Sequence, residues 1–134
     1  MAFVMLNPST ADDTTDDATI RSCTRLAKKW QYGALIVVNT NPNRSTNPKL
    51  TPEPTEFDLI ENDEYLRRAA FWGHRIVLAW GNHVDAQLRD RALEVLEETG
   101  HDLFHLGLTK KGEPKHPLYL PATTTLERWR EWTV

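Results

Sequence analysis

The sequence predicts an α/β domain: a three-layer α/β/α arrangement with helices on both faces of a central, mainly parallel sheet. Three observations predict it. Short apolar runs alternate with helix-length amphipathic segments, which is the pattern of βαβ units. One of those runs, Ala34-Leu35-Ile36-Val37-Val38, is apolar throughout, as a strand covered on both faces must be. The runs also end in polar residues, on the side where open parallel sheets bind their ligands. The 134 residues, 40% hydrophobic and 26% charged, suit a single domain over 1–134 with one buried sheet.

The predicted strands cover residues 3–6, 34–38, 75–80 and 102–108, making a four-stranded sheet. Between the first two, Ile20, Cys23, Ala27 and Trp30 recur at helical spacing, while Arg21, Arg25, Lys28 and Lys29 face elsewhere. Asp16 and Asp17 suit that helix's start, Lys28 and Lys29 its end, and Gly33 its stop. A second helix is predicted over 63–72, closed by Gly73, and a third over 84–99, closed by Gly100. Val84, Leu88, Ala92, Val95 and Leu96 form the third helix's apolar stripe. Residues 126–132 read as a short final helix with Trp129 and Trp132 on one face. The exception to tight alternation is a Pro- and Asn-rich loop over about 40–60, whose length suits a binding loop or a disordered excursion.

Composition narrows the function classes. The single Cys23 excludes an internal disulfide, and no apolar run reaches the roughly 20 residues of a membrane span. Met1-Ala2-Phe3-Val4 leads into a strand without the basic segment of a signal peptide, so a reducing cytoplasm is expected. A formal net charge of −3 argues against a protein that coats nucleic acid, while leaving room for a local basic rim. The histidines show no metal-ligand spacing with Cys23, and neither a metal nor a cofactor is expected. Ser9 lacks a nucleophile-elbow context.

Candidate site residues lie at the strand ends. Asn7 follows the first strand, and Pro8 holds it out of the α region. Its amide can satisfy its own backbone as an Asx turn, or orient a water or read a heterocycle edge. Ser9 and Thr10 add hydroxyls upstream of a helix where an anion can bind, although Asp12, Asp13, Asp16 and Asp17 oppose a phosphate there. Asn39 ends the second strand with Asn41, Asn43 and Arg44 close behind; turn chemistry explains these, and so does two-point pairing with a base edge. At the third strand's end, Gly81 permits close backbone approach, and Trp80 fills the core. In the last loop, Lys115 and His116 precede Pro117 and Tyr119. They read as an ordinary basic surface loop, or as a phosphate-holding lysine beside an imidazole that donates to an oxygen gaining negative charge.

Val4-Met5-Leu6-Asn7-Pro8-Ser9-Thr10-Ala11-Asp12, together with His116-Pro117-Leu118-Tyr119-Leu120-Pro121, closely resembles a bacterial and phage family, domain of unknown function 1643, over nearly the whole chain. A more distant resemblance is to the uracil-DNA glycosylase superfamily. Leu6-Asn7-Pro8 is similar to its Ile-Asn-Pro segment, residues 33–40 resemble the strand closing in Leu-Leu-Asn-Thr, residues 76–81 its Leu-Leu-Trp-Gly strand, and His116-Pro117 the start of its His-Pro-Ser-Pro loop. The resemblance implies strand order 2-1-3-4. It also implies that Asn7 holds the attacking water, that Asn39 reads a base edge, and that His116 faces a base carbonyl. The first motif has no catalytic aspartate and no following aromatic residue, and Leu118-Tyr119 replaces Ser-Pro.

The expectation is therefore an N-glycosylase that hydrolyses the base-sugar bond of a modified or non-standard nucleotide, its partner being a nucleic acid or nucleotide flipped into the crevice. Asn7 and His116 would be catalytic. Tyr119 or Trp80 would stack on the base, and Ser9, Thr10, Arg44 and Lys115 would contact phosphates. One alternative is a nucleotide or modified-base sensor without turnover. Another is a partner-binding protein that uses the Pro-rich loop and the terminal tryptophans.

Overall fold

The computed structural model describes residues 1–6, 13–43, 53–118 and 120–129, with backbone only for 13–17. Strands β1 (Ala2–Met5), β2 (Ile36–Asn39), β3 (Ile76–Leu78), β4 (Leu103–His105) and β5 (Glu127–Arg128) make one sheet in the order β2-β1-β3-β4-β5. The first four run parallel, and β5 is antiparallel to β4. Helices α1 (Asp13–Lys29), α2 (Glu56–Gly73) and α3 (Ala86–Glu98) make the crossovers.

Alternation along the strands divides the core between the two faces of the sheet. Ala2, Val4, Ile76, Leu78 and Trp80 pack with Leu66, Ala69 and Ala70 of α2 and Ala92, Val95 and Leu96 of α3. Phe3, Met5, Val77 and Ala79 pack on the opposite face with Cys23, Leu26 and Ala27 of α1. Helices thus cover both faces of the sheet, but the apolar second run, expected inside it, forms the edge strand β2, where only Val38 of Ile36–Asn39 is buried.

The expected four-stranded sheet is corrected to a five-stranded mixed one. The segment predicted as a final helix instead supplies β5, with Phe104 opposite Arg128 and His105 opposite Glu127. Trp129 explains the preference. Its backbone N–H donates to the Leu103 carbonyl at 2.9 Å, and its indole meets Trp80 and His105 edge-to-face at 6.3 and 6.0 Å. Pairing places that ring on the core, where a solvated helix could not hold it. Trp132 lies outside the described residues.

Helix boundaries also shift for identifiable reasons. The second helix starts at Glu56 rather than at 63, because Thr55 and Asp58 form a reciprocal capping box: the Thr55 hydroxyl accepts from the Asp58 N–H and the Asp58 carboxylate from the Thr55 N–H. That shortens the long loop from its carboxyl side. At the end of α1, Gln31 rather than Gly33 takes the left-handed conformation, with φ 65°. The Tyr32 N–H then reaches the Ala27 carbonyl at 2.9 Å. Gly100, φ 76°, closes α3 as predicted.

Gly73 serves a different purpose from the one its position suggests. His74 takes the positive φ of 55° after α2, while Gly73 lies against β1, where a β-carbon would stand 2.7 Å from Ala2 Cβ and 3.0 Å from Ala2 N. Gly73→Ala is expected to destabilise the protein by about 1–3 kcal/mol in urea unfolding, because helix and strand would have to separate. A change within error would show that the contact yields freely.

Cys23 is fully buried against the sheet, and burial pushes its thiol up to about 12. The native protein should therefore resist a thiol reagent at pH 8 and react at once when unfolded. Rapid labelling of the native state would contradict that packing. Among the described residues, no helix is long and apolar enough to cross a membrane.

Candidate functional site

Order and handedness place a crevice. From β1 the chain crosses to β2 by way of α1 on one face, and from β3 to β4 by way of α3 on the other. The carboxyl ends of β1 and β3 therefore flank the switch point of the sheet, where α/β proteins bind ligands. An open cleft of about 370 Å³ lies there, lined by Leu6 from the β1 end, Trp80 and Gly81 from the β3 end, and Lys115, His116 and Leu120 from the last loop.

The loop is built to deliver His116. Beyond β4 the chain turns at Gly107, φ 113°, pairs Leu108 with Pro114 as an antiparallel bridge, and reverses through Gly112, φ 82°. The Lys115 N–H donates to the Gly107 carbonyl and the Gly81 N–H to the Pro114 carbonyl, both at 2.9 Å. Gly81 has φ 76°, a conformation that any side chain would strain. Pro117 is fully buried, so the residue before it is held from below.

Glu113 fastens this hairpin to the rest of the fold. Its carboxylate accepts from the Trp80 indole N–H at 2.7 Å and from the Arg89 guanidinium on α3. Nothing in the neighbouring sequence singles out Glu113, which stands among lysines. The available signal was Trp80 at the end of a buried strand, because a buried indole N–H needs an acceptor. Thr109 adds a second tie, donating to Asn82 at 2.6 Å.

His116 itself is half-buried, and burial holds its imidazole below the usual histidine range. The Leu118 N–H donates to Nδ1 at 3.1 Å. Nδ1 is therefore the unprotonated nitrogen, so the neutral ring carries its proton on Nε2. Nε2 has no hydrogen-bond partner among the described residues. The site thus presents a neutral N–H donor at a cleft wall, with the exposed Lys115 beside it.

The other predicted residues divide into three groups. Trp80 is 1% exposed and belongs to the core, so its ring face is occupied; the stacking role gives way to that of a supporting wall. Asn39 closes β2 opposite Met5 and borders a separate cavity of about 380 Å³ between β2 and α2. Asn62 of α2 donates to its backbone carbonyl at 2.8 Å. Strand β1 lies between Asn39 and the His116 cleft, so β2 and β3 stand about 10 Å apart. Asn7, Pro8, Ser9, Thr10, Arg44 and Tyr119 lie outside the described residues.

A doubly wound α/β domain with a donor-lined cleft at its switch point is the class that this fold and site define. Its sequence matches the family described as Protein of unknown function (DUF1643) over residues 1–118, and the chain belongs to that family. No curated protein and no solved structure matches it.

Proposed function

We propose that the β1/β3 cleft binds the base of a nucleotide, and that the protein is a base N-glycosylase of the uracil-DNA glycosylase type acting on a modified or non-standard base. The observation that carries this reading is the Nε2–H of neutral His116 at the cleft wall, its tautomer set by the Leu118 N–H. Hydrolysis of an N-glycosyl bond moves an electron pair onto the departing base, and a preorganised donor at a base oxygen stabilises that charge. Lys115 would hold a flanking phosphate. The parallel strand order β2-β1-β3-β4 agrees with the order that the superfamily resemblance implies. In this reading Asn7 orients the water.

A second reading has its own support. No described residue that lines the cleft is a carboxylate, so the described lining offers no carboxylate to activate a water, and a nucleotide or modified-base sensor would use the same donors without turnover. One experiment separates the two. Purified protein is incubated with single- and double-stranded DNA carrying natural, deaminated and phage-type modified bases, and free base is sought by mass spectrometry. Release that disappears in Asn7→Ala and His116→Ala supports the glycosylase. Binding without release from any substrate supports the sensor, and neither binding nor release rejects both.

A further inference from the structure

The outer face of α2 is apolar at both ends and oppositely charged on either side of its middle. Phe57 is 86% exposed and Phe71 67%, with Ile60, Tyr65 and Trp72 about half exposed. At 100° per residue these five, together with exposed Glu61, Glu64 and Arg68, fall within one stripe on the side of the helix away from the sheet. Few monomers leave such a row in water. The helix is therefore apolar on two sides: Leu66, Ala69 and Ala70 face the sheet, and the aromatic stripe faces outward.

The geometry points to a symmetric homodimer in which α2 packs antiparallel on α2 of a second copy. Charge order selects that occupant. The stripe carries Glu61 before its middle and Arg68 after it, while Glu64, close to the middle, pairs with Arg67 of its own helix, so a two-fold axis through the middle of α2 brings Glu61 of one copy to Arg68 of the other. About an axis near residues 64 and 65, Glu61 faces Arg68 of the partner subunit and Phe57 faces Trp72 of the partner subunit. The two-fold repeats both contacts. An isologous contact requires a surface complementary to itself, and this one is. The groove of about 380 Å³ beside the stripe, walled by Asp58, Glu61 and Tyr65, gives the partner's Arg68 an acidic recess. The β1/β3 cleft lies at the carboxyl ends of other strands, so the dimer leaves it open.

Sedimentation velocity over a concentration series tests this on the full chain. Wild type should dimerise reversibly. Glu61→Arg and Arg68→Glu should each weaken dimerisation by about a hundredfold, since each creates two like-charge contacts per dimer. Mixing the two variants should restore a dimer, because Arg then faces Glu at both contacts, and a folding defect cannot produce that rescue. A wild type that stays monomeric up to its solubility limit overturns the proposal. So does a dimer indifferent to both reversals, or a mixture that fails to associate.

Discussion

Replacing His116 with alanine should slow base release by about 10²- to 10³-fold, the usual effect of losing one preorganised donor to developing negative charge. The loss should appear in kcat more than in KM, since the donor acts most strongly once charge has moved onto the base. His116→Gln, which keeps an N–H donor, should recover part of the rate. The pH profile gives a second signature. Burial lowers the His116 pKa, so the ring stays neutral at pH 7, and its Nδ1 continues to accept from Leu118. On acidification the unfolded chain binds this proton first, near the ordinary value of about 6.5. The contribution of the neutral ring to stability is therefore intact above that pH and declines as pH falls from there toward the folded pKa. Activity should be flat through neutrality and fall only below about pH 6.5, with no such fall in His116→Gln. A rate that rises on acidification would mean that the imidazolium is the working form.

Trp80→Ala should destabilise the domain by about 3–5 kcal/mol, the range for removing a large aromatic from a packed core. Among the described residues Trp80 is the largest fully buried side chain, and it touches both the α2/α3 core and Trp129. The same substitution removes a donor from Glu113, which leaves the hairpin that carries His116 tied by Arg89 alone at that carboxylate. Against a typical total of about 5–15 kcal/mol, the variant would be marginal at best. Trp80→Phe separates the two effects. It retains most of the ring contact but loses the hydrogen bond, and should cost about 1–2 kcal/mol. Urea unfolding of both variants checks this. A loss below about 1 kcal/mol for Trp80→Ala would mean that the indole is not central to the core.

The parallel framework was legible because its strands are short apolar runs separated by amphipathic helices. The residues that define it, Val37 and Val38 or Val77 and Leu78, are also those that the sheet buries or half-buries. Helix boundaries were less legible where a cap competed with periodicity. Thr55 and Asp58 start α2 inside a stretch that reads as loop, and Gln31 takes a conformation that glycine usually holds. The last strand was missed because the spacing of Trp129 and Trp132 imitates a helix, while the feature that decides the matter, an open β4 edge, is non-local. At the candidate site, His116 and Gly81 stand out in the sequence as residues that follow strands, and both line the same cleft. The tautomer of His116 was not legible, because it depends on a hydrogen bond from Leu118. Nor was Glu113, whose partners come from β3 and α3.

The central claim is that His116 presents a neutral Nε2–H to a base in the β1/β3 cleft. Long-range proton–nitrogen correlation NMR on the histidine rings, with and without an added panel of nucleosides and modified nucleosides, tests it most directly. The account predicts that His116 is in the Nε2–H form, titrates below the ordinary histidine range, and shifts at Nε2 when a nucleoside binds. A His116 protonated on Nδ1, titrating at or above about 6.5, or unmoved by every nucleoside that the protein binds, would contradict it.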